Sequence, residues 1–434
     1  MDDSRIIVSL DIGTTAMKVV VANIQNSQAN IIGIGSAHSQ GMDRGVIVDI
    51  DQAATAISEA IKKASSQSNT DIKDVVVGLP ASGLQIFKAH AMVALNGQSK
   101  EINNDDVQEV MSASVVQTLP PELEFVTLLP SSFSVDGFTN VNDPRGMIGN
   151  RLEFNGVLYA LPKSILHNVK RVVQRAGLNL IHEILAPLAL AKVALNKGER
   201  DFGTVVIDLG GGQTSASVIH DNKLKFTAID PEGGNLVAHD ISVVLNTTLD
   251  NAEKLKHYYG NADVQHSLSG ETIPVEVVGQ EQNQNISGEY LASIISARLQ
   301  QIFERLKRSL DHIKAQDLPG GVILTGGLAE MSGIKALAQQ VLQVKTKTFI
   351  PEQMGLRHPS FAEGLGLVLY TKDLNDLDLI AYDVVHEPVS KKTRVTSSSR
   401  SDSSPRTENS GKEKPPKSIS TGEKIKNFWS RFFD

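Results

Sequence analysis

The sequence predicts an α/β protein. Two similar domains close on a phosphate-bearing ligand, with a small α+β insert, a disordered linker and a terminal amphipathic helix. Three observations predict it. A turn of an acid followed by glycines, set between two strands, occurs at Asp11 and again at Asp208, and a further glycine turn follows at Gly326-Gly327. Residues 82–162 break the α/β alternation with strands and one helix of their own. From residue 386 the composition shifts to Ser, Pro, Lys and Arg, and the chain ends in an aromatic-rich run.

Thr204 to Ile207 is a β-branched run that stops at Asp208, followed by Gly210-Gly211-Gly212. The run reads as a buried strand, and the glycines let the backbone turn sharply and bring its N–H groups to a bound anion. Ser215, Ser217 and Ile219 then alternate with Ala216 and Val218, and His220 to Lys223 is a turn before a strand from Leu224 to Ala228. This is a hairpin whose tip can clasp phosphate. It is not the G-x-G-x-x-G turn that opens a helix in dinucleotide folds.

One glycine-rich tip is ordinarily just a turn, but the N-terminus repeats it. A strand from Ile6 to Leu10 leads through Asp11-Ile12-Gly13-Thr14-Thr15 into a strand from Met17 to Ala22 and, after a turn, a strand from Ile31 to Gly35. Two such hairpins facing across a cleft place Asp11 and Asp208 near one phosphate-bound cation, with hydroxyls and backbone N–H groups on both sides. A strand from Gly321 to Leu324 then runs into Thr325-Gly326-Gly327-Leu328-Ala329 and a helix expected from Met331 or Ser332. A glycine turn at a helix N-terminus suits a sugar and α-phosphate.

The remaining elements follow in order. Asp51 to Ala64 is an amphipathic helix and Asp74 to Leu79 a buried strand. The insert carries strands at 85–95, 125–133 and 152–161 and a helix from Asn104 to Val116, with Asn104 read as its cap. Ser164 to Arg175 is a helix closed by Gly177, Leu178 to Ile184 a strand, and Pro187 opens the next helix. Gly233-Gly234-Asn235 precedes a helix from Leu236 to Leu245, and 248–256 is a turn with a short helix. Gly288 to Ile313 is a long helix with an apolar stripe, and Gly364-Leu365-Gly366 opens a closing helix whose small residues permit close approach to the cleft.

Composition sets bounds. With 434 residues, 41% of them hydrophobic, the chain can build more than one sizeable core. It has no cysteine, which removes disulfide and thiol chemistry. No apolar run is long enough for a transmembrane helix, and the acidic N-terminus is no secretory signal. From His386 on, 11 Lys/Arg stand against 6 Asp/Glu, net +5, which leaves −12 on the body of a chain whose formal charge is −7. An acidic body does not favour nucleic acid, whereas a basic tail is drawn to any polyanion. Near its end Ile425, Phe428, Trp429 and Phe432 share one helical face, flanked by Phe433, with Lys424, Lys426 and Arg431 opposite. That pattern suits a membrane surface.

The three glycine turns resemble, in order, the phosphate-1, phosphate-2 and adenosine motifs of the actin, Hsp70 and sugar-kinase superfamily, up to about residue 385. The resemblance implies an actin-like two-domain ATPase fold that binds ATP with Mg2+. Residues 1–81, 163–203 and 358–385 would form the first domain, 82–162 the insert, and 204–357 the second domain, with 240–315 its outer subdomain. The linker would span 386–418 and the amphipathic helix 419–434. The resemblance assigns to the nucleotide Asp11, Gly13, Thr14, Thr15, Lys18, Asp208, Gly210, Gly211, Gly212, Gln213, Thr214, Gly234, Gly326, Gly327, Leu328 and Met331. Asp11 and Asp208 would hold Mg2+ through water or phosphate. Ala252-Glu253 to Lys256 matches an A-E-x-x-K at the superfamily's adenosine pocket, which adds Glu253 and Lys256.

Within the superfamily the chain resembles the FtsA family of bacterial cell-division proteins closely. The features are D-I-G-T-T-A-M-K at 11–18, D-L-G-G-G-Q-T-S at 208–215, L-P-G-G-V-I-L-T-G-G-L-A-E-M-S-G at 318–333, the insert and the tail. This implies a polymer-forming protein on the cytoplasmic face of the cell membrane at the division site. Its partners would be the FtsZ C-terminal peptide, docking on about 240–315, other division proteins, anionic lipid and further copies of itself, but no nucleic acid. One residue departs from the superfamily. A Gln or Glu that orients the attacking water is expected just before the helix at Pro187, and Ala186 stands there. Ala can neither orient water nor take its proton, so at most slow hydrolysis is expected. The alternative, a sugar or acid kinase of the same superfamily, has no use for the aromatic tail.

Overall fold

Two five-stranded sheets repeat one topology in the computed structural model, which describes residues 5–95, 100–265, 267 and 272–386. From residue 387 on, the expected linker and amphipathic helix, with Ile425, Phe428, Trp429, Phe432 and Phe433, lie outside the described residues. In the first sheet Arg5–Ile12, Ala16–Gln25 and Gln28–His38 form an antiparallel meander. Asp74–Leu79 adds in parallel on the free side of Arg5–Ile12, and Asn179–Leu185 beyond it. In the second sheet Thr204–Leu209, Thr214–His220 and Lys223–Asp230 form the same meander. Val322–Thr325 and Thr346–Thr348 add in parallel in the same order.

Local chemistry explains the meanders. The central strands are buried on both faces and therefore read as apolar runs such as Thr204 to Ile207. The outer turns are two residues long and left-handed in both halves, at Asn26-Ser27 and at Asp221-Asn222, the backbone that a tight hairpin needs. Helices return the chain to the parallel strands. Ile50–Ser68, capped by the Asp49 side chain, precedes Asp74–Leu79, and Lys163–Arg175 precedes Asn179–Leu185. In the second half the long helix Gly288–Asp311 buries Leu291, Ile295, Leu299, Ile302, Leu306 and Leu310 before Val322–Thr325.

The insert is a four-stranded antiparallel sheet in the order Phe138–Val141, Leu123–Val135, Arg151–Pro162, Gln85–Ala94. Its helix Asn104–Val115 is capped one residue earlier than expected. Asn103 accepts from the Asp106 N–H while the Asp106 carboxylate accepts from the Asn103 N–H, so Asn104 is the first helical residue. The helix Ala362–Lys372 packs on the first sheet through Leu365, Leu367 and Val368. Asp376–His386, placed with the first domain from sequence, puts Leu377, Ala381 and Val384 into the core of the insert. Among the described residues no helix is long and apolar enough to cross a membrane.

Candidate functional site

Each meander presents its first turn to a cleft between the sheets. Asp11 ends its strand opposite Lys18, and the Lys18 ammonium donates to the Asp11 carboxylate at 2.9 Å. Asp208 ends the equivalent strand opposite Ser215. The tips between acid and partner touch across the cleft. A Cβ on Gly211 would lie 1.8 Å from Thr15 Oγ1, and one on Gly212 would lie 2.5 Å from Thr14 Cγ2. Only glycine allows that approach. Thr15 Oγ1 also donates to Asn235 Oδ1 at 3.3 Å, and the Asn235 N–H donates to the Gly211 carbonyl at 2.8 Å. Thr14 Oγ1 accepts from the Gly45 N–H at 2.9 Å, so a loop of the first domain closes over the first tip.

The cleft measures about 380 Å³ and is lined by Asp11, Gly13, Thr14, Thr15, Lys18, Asp208, Gly210, Gly211, Gly212, Gln213, Gly234, Glu253, Lys256, Gly326, Gly327 and Leu328. That volume is within the usual range for a small-molecule pocket. Sixteen of the eighteen expected nucleotide residues therefore converge, and two do not. Thr214 is fully buried, and its hydroxyl donates to the Glu232 carbonyl at 2.9 Å, which ties the hairpin to the next loop. Strand alternation is the reason, because Ser215 faces the cleft and Thr214 therefore faces the core. Met331 lines an outer extension of the cleft beside Glu253, Lys256 and His257. Lys256 pairs with Glu253 at 2.6 Å and donates to the Gly234 carbonyl at 2.8 Å.

The third turn differs from the sequence reading. Gly326 leads into a short 3-10 turn, Gly327–Glu330, and the α-helix begins only at Ile334. Ser332 is drawn aside by the Ala262 N–H, which donates to its carbonyl at 2.7 Å, and Gly333 is left-handed with φ 76°. No α-helix N-terminus therefore follows the Gly326-Gly327 turn directly.

Electrostatically the cleft is acidic at its base. Asp208 is pushed up to about 6, mainly by burial and then by Asp11, with Lys18 acting against the shift. Burial pulls Lys18 down, but the Asp11 carboxylate outweighs it and the ammonium is held above its ordinary value. A third carboxylate, Glu363 on the helix Ala362–Lys372, was not expected from sequence. Burial, Asp11 and Asp208 hold it well above the usual carboxylate range. Its only sequence signal is an acid directly before the small residues Gly364 and Gly366. Neither Asp208 nor Glu363 has a hydrogen-bond or ion-pair partner among the described residues. Among those residues no group of three His, Cys, Asp or Glu is arranged to hold a metal ion directly. An unpaired acid facing a lysine-paired one across glycine tips fits a cation held through water and phosphate oxygens.

Ala186 lines the cleft as the first residue of the helix Ala186–Ala194, with Pro187 next to it. Glu183, three residues earlier, does not reach the cleft. It is buried against His386 at 3.0 Å and Lys170 at 3.6 Å.

Two family models match parts of the chain. A family model described as "Cell division protein FtsA" matches residues 205–366, and one described as "SHS2 domain inserted in FTSA" matches residues 81–160. The chain is 45% identical over 435 aligned positions to the cell division protein FtsA of Enterococcus hirae, covering 98% of each. Among solved structures it is similar to a chain of a PilM–PilN type IV pilus biogenesis complex, with a TM-score of 0.58 at 19% identity, covering 85% of this chain and 99% of that one. It is also similar to MreB5 of Spiroplasma citri bound to ADP, with a TM-score of 0.52 at 14% identity, covering 85% and 96%. At these identities the structural likenesses establish the actin-like fold.

Proposed function

The chain belongs to the FtsA family of cell-division proteins, and from that premise we propose that it is an ATP-binding, polymer-forming tether between the FtsZ ring and the cytoplasmic membrane. The observation that carries the nucleotide part is the pair of acidic glycine hairpins meeting tip to tip over a cleft of about 380 Å³. Backbone N–H groups and the Thr14 and Thr15 hydroxyls would hold phosphates, with Mg2+ between Asp11 and Asp208. Glu253, Lys256, Leu328 and Met331 would flank the nucleoside. ADP bound to MreB5 of S. citri, a protein of the same fold, supports a nucleotide as the ligand. With Ala186 at the cleft wall, turnover would lie far below the roughly 1–100 s⁻¹ of kinases. Identity to an FtsA over nearly the whole chain displaces the sugar-kinase alternative.

The tether is the C-terminal aromatic stripe. A helix of roughly ten residues is marginal in water and forms when an apolar surface is present. Ile425, Phe428, Trp429 and Phe432 each contribute roughly 1.5–3 kcal/mol on full burial. Lys424, Lys426 and Arg431 add about 1 kcal/mol each near anionic lipid. Polymerisation then raises a modest affinity by avidity. The FtsZ C-terminal peptide would dock on residues 240–315, and later division proteins would be recruited at the same membrane face. Trp429→Glu is expected to abolish flotation with anionic liposomes while leaving ATP binding unchanged. Full flotation of a chain ending at Ser418 would disprove the tether.

A further inference from the structure

We propose that Glu363 is the catalytic base of this cleft: its carboxylate holds and deprotonates the water that attacks ATP, the task for which Ala186 has no side chain. The inference rests on the ATP-binding reading above.

Position comes first. The hydroxyl of Ser9 donates to the Gly364 carbonyl at 2.7 Å and ties the start of the helix Ala362–Lys372 to the strand that ends in Asp11. Leu10 is paired with Val77, which sets Gly78 beside Asp11, and on the other side Gly78 is paired with Ile184, two residues before Ala186. The Glu363 carboxylate lies against Gly78, where a Cβ would be only 2.0 Å from its Oε1. It therefore occupies the cleft floor between the first acid and the helix from which related ATPases are expected to present their water-orienting residue. Gly78 interrupts a β-branched strand, a weakening that the space for this carboxylate explains.

Next is the absence of any other task. Glu363 caps nothing and pairs with nothing among the described residues. The charged groups facing it are Asp11 and Lys18 from the first hairpin and Asp208 from the second, and Lys18 is already engaged by Asp11. An unpaired acid beside two others, in a cleft that receives phosphate, works against both folding and binding. Retaining it there fits chemistry rather than support.

The step balances without a further reactant. The water oxygen bonds to the γ-phosphorus as the bond to the β,γ-bridging oxygen breaks, and ADP leaves with that electron pair. The water proton passes to the Glu363 carboxylate and then to solvent, leaving inorganic phosphate.

The test uses the full chain with Mg-ATP and two readouts, equilibrium ATP affinity and single-turnover phosphate release. Glu363→Gln keeps the shape and removes the base. Phosphate release should fall at least tenfold, the low end of what a positioned base contributes, while ATP affinity is unchanged or higher because one negative charge is gone. Adding Ala186→Glu to that variant should recover part of the rate. Glu363→Asp, which keeps the charge and withdraws it, should fall between. Unaltered release in Glu363→Gln would overturn the proposal, as would a wild type that binds ATP without releasing phosphate, or loss of ATP binding in Glu363→Gln. A wild type that binds no ATP would instead overturn the reading on which the proposal rests.

Discussion

In the hairpin of Asp11 the residue across the strand from the acid is Lys18; in the hairpin of Asp208 it is Ser215. The backbones otherwise agree closely. A Cβ on Gly13 would lie 2.7 Å from the Ala16 carbonyl, and a Cβ on Gly210 would lie 2.7 Å from the Gln213 carbonyl, so each turn needs its first glycine for itself. The next two positions diverge. One tip carries Thr14 and Thr15, the other Gly211 and Gly212, and the hydroxyls of the first fill the space that the second leaves open. Two identical tips would either collide or leave a gap. A duplicated backbone becomes a clasp only after the copies grow complementary in side chain and in charge. Asp11 has its cation, whereas Asp208 lacks one, and burial with the neighbouring Asp11 pushes it up to about 6.

The largest expected effect breaks the steric half of that complementarity. Gly211→Val would put a branched side chain where even a Cβ lies 1.8 Å from Thr15 Oγ1. The tips should be forced apart, and saturable ATP binding should be lost by a factor of a hundred or more. The clash lies between two cleft-lining loops rather than in a core, so far-UV circular dichroism should be unchanged. Wild-type affinity in an equilibrium titration would mean that the tips do not meet around the ligand.

Much of this was legible in sequence for a definite reason. A β-branched run that ends at an acid and glycines has few structural solutions, and finding it twice indicated the facing sheets. The Lys18/Ser215 contrast was also visible, but it carries meaning only once the register sets each opposite its acid. The resemblance assigns Thr214 to the ligand together with the rest of its turn, although strand alternation already turns it toward the core. Glu363 was not found because it lies about 150 residues beyond Asp208 in sequence, and only the return of the closing helix across the first sheet brings it to the same floor. Asn235 is read from sequence only as the last residue before a helix, with no role at the tips. The helix after the third turn was started too early, since the pull of Ala262 on Ser332 is a tertiary contact with no local signature.

The charge half of the comparison can be tested by moving the cation. Lys18→Ser leaves Asp11 beside Asp208 and Glu363 with no counter-charge, and removing one member of a buried pair costs about 3 kcal/mol or more. Urea midpoints should fall accordingly for the nucleotide-free chain. Adding Ser215→Lys would place an ammonium opposite Asp208 in the same cross-strand register, and most of the loss should return. If the double variant is no more stable than Lys18→Ser alone, the hairpins are not electrostatically interchangeable.

The smallest effect sharpens the contrast, because the two hairpins act at opposite ends of the pH scale. In the folded chain Asp208 keeps its proton to about pH 6, against an ordinary value of 3.8. Between those values the folded state binds more protons than the unfolded one, so stability falls as pH rises through the window. The loss is on the order of 2–3 kcal/mol and is complete above pH 6. Glu363, also raised, adds to it in the same direction. Lys18 behaves in the reverse sense. Its folded value lies above the ordinary 10.5, so its stabilisation is fully present below that and lost only as pH rises past the folded value. Asp208→Asn removes this acid and with it part of what raises Glu363. Without nucleotide or Mg2+, its stability relative to wild type should therefore grow from pH 4.5 to pH 6.5 and then level off. The alkaline limb that Lys18 governs should move only slightly toward lower pH, because Asp208 is the smallest of the charges that raise Lys18. An advantage that does not change with pH would place the strain of the second hairpin in its packing rather than in the charge of its unpaired acid.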